Sequence, residues 1–368
     1  MMHPRYKRYF LETLSFGLIW MLFGFIYVFI EYGLLGSLPE YPATGNQYNF
    51  KNSLMYVGAG SFMMGMVQGW IEVRWLRRRF EKQRFFIKLM AKGGFYLLLI
   101  VLFLVLLTWV INSRRFDEGL FAPEVLESLW PFFSNFAFWS TVLYVAAILG
   151  VALFVSEIGQ YLGIGVLGNF ILGKYHRPRK ETRIFMFLDM RSSTSIAERM
   201  GHERYFELLR AYYGDMTEPI LLTFGQVYQY VGDEIVISWP KHLGLYHNNC
   251  LQCLLGIQRK LRERAGFYEE QFGMVPTFKA GLHLGEVTVG EIGIIKKEMI
   301  YTGDVLNTTS RIQAQCDAAG AMALISGELA KALHPDAGVG MSPLGSLNLR
   351  GKEQTVALFK LEVLNKVL

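Results

Sequence analysis

Cysteine is scarce in this chain: Cys250, Cys253 and Cys316 are the only three in 368 residues. Three are too few for a disulfide framework, so a stapled secreted scaffold is excluded. Cys250 and Cys253 lie at helical spacing in an apolar stretch, which fits reduced core cysteines better than a metal or redox pair. A cleavable signal peptide is not expected, because Glu12 interrupts the first apolar run and no small-residue cleavage site follows it. A nucleic-acid-binding face is missing too. The net charge is +6, but the basic residues cluster beside apolar segments, which is a membrane pattern, and no nucleic-acid partner is expected.

The apolar residues are distributed unevenly. Residues 1–173 are dense in Phe, Leu, Ile, Val, Trp and Gly, whereas 174–368 alternate charged and apolar patches as an ordinary globular domain does. Four stretches, about 10–33, 53–73, 93–112 and 136–160, approach the roughly 20 residues that a spanning helix needs. The segments 34–52 and 113–135 carry few basic residues (Lys51, then Arg114 and Arg115). Between the second and third stretches come Arg74, Arg77, Arg78, Arg79, Lys82, Arg84, Lys88 and Lys92, with Glu81 the only acid among them. Arg5, Lys7 and Arg8 precede the first stretch. The excess of Lys and Arg predicts a multi-pass protein of the inner (plasma) membrane with both termini cytoplasmic. The expected organisation is a four-span α-helical membrane domain over 1–160, a juxtamembrane linker over 161–182 and a cytosolic domain over 183–368.

Within the membrane half, Gly65 and Gly69 have the spacing that lets two helices approach closely. Glu31 and Glu157 lie near span ends, where interfacial hydration is the plain reading; a sensing or ion-related role needs one of them buried in the bundle. Residues 161–173 read as a glycine-punctuated extension leaving the bilayer. The patch Lys174, His176, Arg177, Arg179 and Lys180 then fits either a lipid-headgroup anchor or a coupler between the two halves.

The cytosolic half carries strand candidates at 183–189, 226–231, 234–239, 276–284, 286–291, 298–302 and 321–326, rich in β-branched and aromatic residues. Helix candidates fall at 193–200, 203–223, 244–270 and 304–317. Their order predicts an α+β, ferredoxin-like antiparallel core with helices on one face. Asp189 ends the first strand, and Asp233 sits in the tight turn between the next two. Two carboxylates so placed can converge on hard cations such as magnesium, which prefer oxygen ligands and phosphate partners. The turn from Met190 through Arg191, Ser192 and Ser193 to Thr194 opens a helix and presents amide N–H groups suited to phosphate.

Four segments in order, FLDMRSSTSIAERMG, GQVYQYVGDEIVISW, GLHLGEVTVGEIG and YTGDVLNTTSRI, together resemble the class III nucleotidyl cyclase domain. The resemblance spans about 175–362 and includes LRGKEQTVALFKL. It implies a cyclase domain that dimerises and shares its sites across the interface, with two Mg2+ (or Mn2+) ions per site and ATP as substrate. On that resemblance Asp189 and Asp233 are metal ligands, joined by the Met190 carbonyl. Residues Met190, Arg191, Ser192, Ser193 and Thr194 face the phosphates, Asn307 orients the ribose, and Arg311 meets the charge on the α-phosphate. Asn307 and Arg311 are four residues apart, on one face of the expected helix.

The two positions that read the purine depart from the family pattern. Gln229 stands where a lysine is usual, and Ile300 where an aspartate or threonine is usual. The glutamate and cysteine common in guanylyl enzymes are absent from these two positions as well. Gln229 can donate to and accept from a base edge, whereas Ile300 can do neither with its side chain. The implied activity is membrane-bound adenylate cyclase, with a guanylate cyclase or a non-catalytic cyclase-like receptor as alternatives. Val231-Gly232-Asp233-Glu234-Ile235 echoes the diguanylate cyclase signature but lacks its first glycine. His283, at a strand end between Gly281 and Gly285, reads as structural, and Glu234 as either a supporting acid or a solvated turn residue.

Overall fold

The computed structural model describes residues 4–36, 38, 48–80, 83–134, 136–162, 173–334, 339–347 and 355–363. The chain divides into two compact units, one over Tyr6–Ile171 and one whose main part is Leu172–Leu368. The expected extension over 161–173 and the segment LRGKEQ lie largely outside the described residues.

The first unit is helical: α1 (Pro4–Leu35), α2 (Phe50–Ile71), α3 (Phe85–Phe116), the short α4 (Pro123–Glu127) and α5 (Leu129–Ser134), and α6 (Phe136–Leu162). Among the described residues three helical segments are long and apolar enough to cross a bilayer: Tyr9–Leu35, Phe85–Arg114 and Phe138–Gln160. The stretch expected as a second span is the 22-residue helix α2, which falls outside that set. Its glycines explain its packing. A Cβ on Gly65 would meet the Phe16 carbonyl oxygen at 2.6 Å, and one on Gly69 would meet Thr13 Cα at 2.9 Å. Those glycines bring α2 against α1 of the same chain.

Helix α3 begins eight residues before the expected 93 and takes in two lysines. The cost of burying Lys92 is offset by ionic partners. Its Nζ donates to Glu72 Oε1 at 2.5 Å and to Glu157 Oε1 at 2.7 Å, and all three residues are buried. The Tyr96 hydroxyl donates to Glu72 Oε2 at 3.2 Å, and Lys88 lies 3.7 Å from Glu157. Glu72 opens a π-helical turn, Glu72–Leu76, that continues α2, and Arg77 just beyond it pairs with Glu12 of α1. Glu157 is therefore inside the bundle rather than hydrated at its edge.

The second unit contains β1 (Arg179–Met190), α7 (Ser193–Met200), α8 (His202–Leu222), β2 (Gln226–Val231), β3 (Glu234–Pro240), α9 (Lys241–Leu245), α10 (Asn249–Glu263) and α11 (Ala265–Phe272). It continues with β4 (Phe278–Ile292), β5 (Glu298–Thr302), α12 (Asp304–Ala314), β6 (Ala323–Ser326), α13 (Gly327–Ala332), β7 (Val339–Leu347) and β8 (Val356–Val363). The strands form a sheet in the order β2-β3-β1-β4-β6-β8-β7, with β5 paired to the far end of β4. All neighbouring strands are antiparallel except β4 and β6.

Alternation along β1 decides what each face of the sheet buries. Ile184, Met186 and Leu188 join Leu208, Tyr212, Leu254 and Ile257 of α8 and α10 in the main core. Phe185 and Phe187 face the other way and pack with Val236, Val287 and Val305. Val305 belongs to α12, so helices cover both faces of the sheet rather than the single face expected. The expected break at residue 285 is also absent, since β4 runs unbroken for 15 residues. Gly285 is a packing glycine: its added Cβ would lie 3.0 Å from Val305. At Gly281 a Cβ would meet the backbone nitrogen of Gln313 at 2.4 Å. Two strand glycines thus seat α12 directly on β4 and set the position of everything that helix carries.

Candidate active site

Asp189 lies one residue from the end of β1, a central strand, opposite Glu234 on β3 and Lys279 on β4. Its odd-numbered register puts it on the α12 side of the sheet, with Phe185 and Phe187. Asp233 sits in the β2–β3 turn next to Gly232, whose φ of +62° suits glycine. Helix α8 braces this turn: the Tyr213 hydroxyl donates to the Gly232 carbonyl at 2.9 Å, and its ring packs on Tyr230 at 4.7 Å between centroids.

The two aspartates come within hydrogen-bonding reach of each other. Burial first, and Asp233 second, push the Asp189 carboxyl above the usual carboxylate range, while Lys279 and a hydrogen bond with Gln313 pull against that rise. Glu234 is pushed up to about 7 by burial and by the charges of Asp189 and Asp233. Lys279 Nζ lies 3.6 Å from Asp189 and 2.9 Å from Asp317. Three acids thus gather with one nearby lysine, and that lysine is shared with a fourth acid. Excess negative charge of this kind, with oxygen donors only, is suited to a hard divalent cation.

Among the described residues no three acidic, histidine or cysteine side chains form a ready-made metal cage. The donor set is the aspartate pair. That fits magnesium, which commonly takes one or two carboxylates and completes its shell with water and phosphate. Met190 has its side chain in the core, so only its backbone carbonyl is available to join them.

The polar turn after Asp189 is already engaged in part. The Arg191 amide donates to the Thr277 carbonyl at 2.9 Å, its guanidinium donates to the Ala321 carbonyl at 2.7 Å, and it pairs with Asp317. Ser192 adopts a left-handed conformation, φ 57°, and α7 starts at Ser193. The amides of Ser193 and Thr194 fall in the first turn, where an α-helix offers no carbonyl partner of its own. Tyr205 of α8 shares a hydrogen bond with Ser193 beside both aspartates.

Helix α12 carries the remaining polar candidates on two sides. Gln313 is buried and reaches Asp189. Asn307 is exposed and Arg311 partly exposed. Two residues along a helix turn through roughly 200°, so Arg311 points nearly opposite to Gln313. The structure brings Asp189 and Asp233 together, but it does not bring Asn307 and Arg311 to them within one chain.

Gln229 is exposed on β2 just past a bulge, and Ile300 is half-buried on β5. Their neighbours join the two strands, with Tyr228 and Tyr301 packed edge to face at 4.9 Å and Phe185 beneath at 5.5 Å from Tyr301. His283 is buried against Ser326 Oγ at 2.8 Å, a structural contact. Lys279, Gln313, Tyr205 and Tyr213 went unnoticed in the sequence. For Lys279 the usable signal was its place on a strand that had to pair with β1.

The family described as the adenylate and guanylate cyclase catalytic domain matches residues 176–362, just over half of the chain. Adenylate cyclase 2 of Rhizobium meliloti (strain 1021) is 33% identical over 222 residues, covering 60% of this chain and 61% of the relative. Adenylate cyclase 1 of the same organism is 26% identical over 181 residues, covering 48% of this chain and 26% of the relative. The chain therefore spans about three fifths or less of the length of these curated relatives. The solved structure of a bacterial light-regulated adenylyl cyclase is alike in fold, with a TM-score of 0.52 at 17% identity over 62% of this chain and 66% of that one. On the match that covers most of its second unit, from His176 to Glu362, this chain belongs to the adenylate and guanylate cyclase catalytic domain family.

Proposed function

We propose that the protein is a membrane-bound adenylate cyclase that converts ATP to 3′,5′-cyclic AMP and pyrophosphate at sites shared between two copies of the chain. The observation that carries this reading is the two-sided helix α12, with Gln313 turned to Asp189 and Arg311 turned away. Each chain then holds two half-sites, one acidic and one made of Asn307 and Arg311. A two-fold homodimer joins them into two complete sites.

Asp189, Asp233 and the Met190 carbonyl would hold two Mg2+ or Mn2+ ions, which supply neutralising charge to the triphosphate and acidity to the ribose 3′-hydroxyl. The chain's own groups do the rest. First-turn amides of Ser193 and Thr194 bind phosphate oxygens, favoured by the helix N-terminus. Asn307 hydrogen-bonds the ribose and holds its 3′-oxygen toward the α-phosphorus. Arg311 places a fixed positive charge where negative charge grows on the α-phosphate, a contribution worth about 100–1,000-fold in rate for comparable preorganised donors. No covalent intermediate on the protein is needed. Gln229 reads the base edge through its amide, and Ile300 offers the purine an apolar contact. The curated relatives support adenine, being named adenylate cyclases.

The Tyr6–Ile171 unit serves as the anchor, with α1, α3 and α6 spanning and α2 as a fourth, less apolar span whose glycine face is buried against α1. The excess of Lys and Arg between α2 and α3 orients both ends toward the cytoplasm.

Purified full-length protein incubated with ATP and magnesium or manganese is expected to form cyclic AMP, with little cyclic GMP from GTP. Asp233→Ala is expected to abolish that product. Wild-type protein that forms neither cyclic nucleotide with either metal would refute the catalytic reading.

A further inference from the structure

Along the seam between α1 and α2 runs an open apolar groove of about 570 Å³. Met21, Phe25 and Phe29 line it from α1, four residues apart and so on one face of that helix. Met55, Gly58 and Phe62 line it from α2. A Cβ on Gly58 would lie 2.5 Å from the Phe25 ring, so the glycine lets that ring settle against the α2 backbone as the floor of the groove. Phe29, Met55 and Ala59 are exposed, and the groove therefore opens to the side of the bundle rather than into its core.

The groove has one charged residue, and it stands at one end. Lys51 is the second residue of α2, lines the groove and is exposed. It is the only basic residue of segment 34–52, and among the described residues it makes no ion pair. The N-terminus of α2 adds partial positive charge beside it. From Lys51 to Phe62 the α2 wall rises about 16 Å at 1.5 Å per residue. That is half of the roughly 30 Å hydrocarbon core of a bilayer. An apolar slot one leaflet deep, with a cation at its headgroup end, is complementary in length and charge to an anionic lipid.

We infer that the α1–α2 groove binds one anionic phospholipid of the leaflet opposite the arginine-rich α2–α3 segment, with an acyl chain against Phe25 and Phe62 and the phosphate at Lys51. The volume falls within the range of small-molecule sites. The open side admits a chain directly from the bilayer. A free fatty acid shares this chemistry, but the same open side leaves room for the second chain of a phospholipid. A second copy seated on the groove would set Lys51 near its own counterpart, which favours lipid over self-association as the occupant.

The inference rests on the membrane anchoring proposed above, so one arm of the test reads the anchoring alone. The full chain is expected to stay with membranes through an alkaline carbonate wash, and release by that wash overturns the anchoring itself. The full chain is then purified in detergent, delipidated and titrated with dioleoyl phosphatidylglycerol or dioleoyl phosphatidylcholine, with bound lipid counted by native mass spectrometry. The wild type is expected to take up one phosphatidylglycerol per chain about fivefold more tightly than phosphatidylcholine, the margin that one lysine supplies beside anionic headgroups. Lys51→Gln alters an exposed side chain and is expected to bind both lipids at the phosphatidylcholine level. Ala59→Trp fills the groove and is expected to abolish the tight binding of either. Equal affinities in the wild type, or a preference that survives Lys51→Gln or Ala59→Trp, overturn the site while leaving the anchoring in place. A fatty acid in place of phospholipid in extracts of the protein before delipidation overturns the phospholipid assignment. A detergent-stable dimer that Ala59→Trp dissociates gives the groove to a second copy and overturns it too.

Discussion

Gln313 hydrogen-bonds Asp189 from the inner side of α12, across a strand whose Gly281 leaves no room for a side chain between them. The contact orients a proposed metal ligand without itself holding metal. Gln313→Leu keeps the buried volume but removes the amide. It is expected to raise the magnesium or manganese concentration needed for half-maximal activity about 10–100-fold, with most activity recovered at saturating metal. A metal titration of cyclic AMP formation reads this directly, and an unchanged midpoint would show that Asp189 needs no such support.

Lys92 is buried between Glu72 and Glu157 and joins three helices. Lys92→Met leaves two buried carboxylates with Lys88 as their nearest cation, 3.7 Å from Glu157. Breaking a buried pair by removing one partner costs about 3–5 kcal/mol. The full chain in detergent is expected to unfold at a clearly lower temperature, followed by tryptophan fluorescence. Lys92→Met combined with Glu72→Gln should recover part of that loss. An unchanged midpoint in the single variant contradicts the network's role.

Burial pushes the Cys250 and Cys253 thiols up to about 12 and the Cys316 thiol up to about 11. A raised thiol pKa keeps the sulfur protonated, so the reactive thiolate is negligible at pH 8 and grows only in strong alkali. Iodoacetamide at pH 8 is expected to leave all three unmodified in the native chain and to alkylate all three once it is denatured, as read by mass spectrometry. Rapid native alkylation of Cys250 or Cys253 would contradict their placement in the core.

Features set by local chemistry were legible in the sequence, while those that depend on crossing elements were not. Asp189 and Asp233 stood out because each follows an apolar strand-like run and opens onto a turn. Gln313 carried no local mark. Its contact exists only because α12 lies on β4; of the two glycines that permit this, Gly285 read instead as a strand break and Gly281 as an ordinary strand position. The strands β7 and β8 were missed because a proline and two glycines interrupt the first and the family block obscured the second. Glu72 adjoins an arginine-rich segment and drew no notice in the sequence, although it is fully buried. Separation of Asn307 and Arg311 from the acidic pair was legible only as far as their shared helix face. That this face turns away from Asp189 needed the structure.

The division of the site between chains is tested most directly by complementation. Asp189→Ala and Arg311→Ala chains, each expected to be inactive alone, are co-expressed with different affinity tags, and doubly purified mixed dimers are assayed for cyclic AMP. One intact composite site per mixed dimer predicts activity approaching half that of wild type. Mixed dimers as inactive as either parent would contradict a site assembled from two chains.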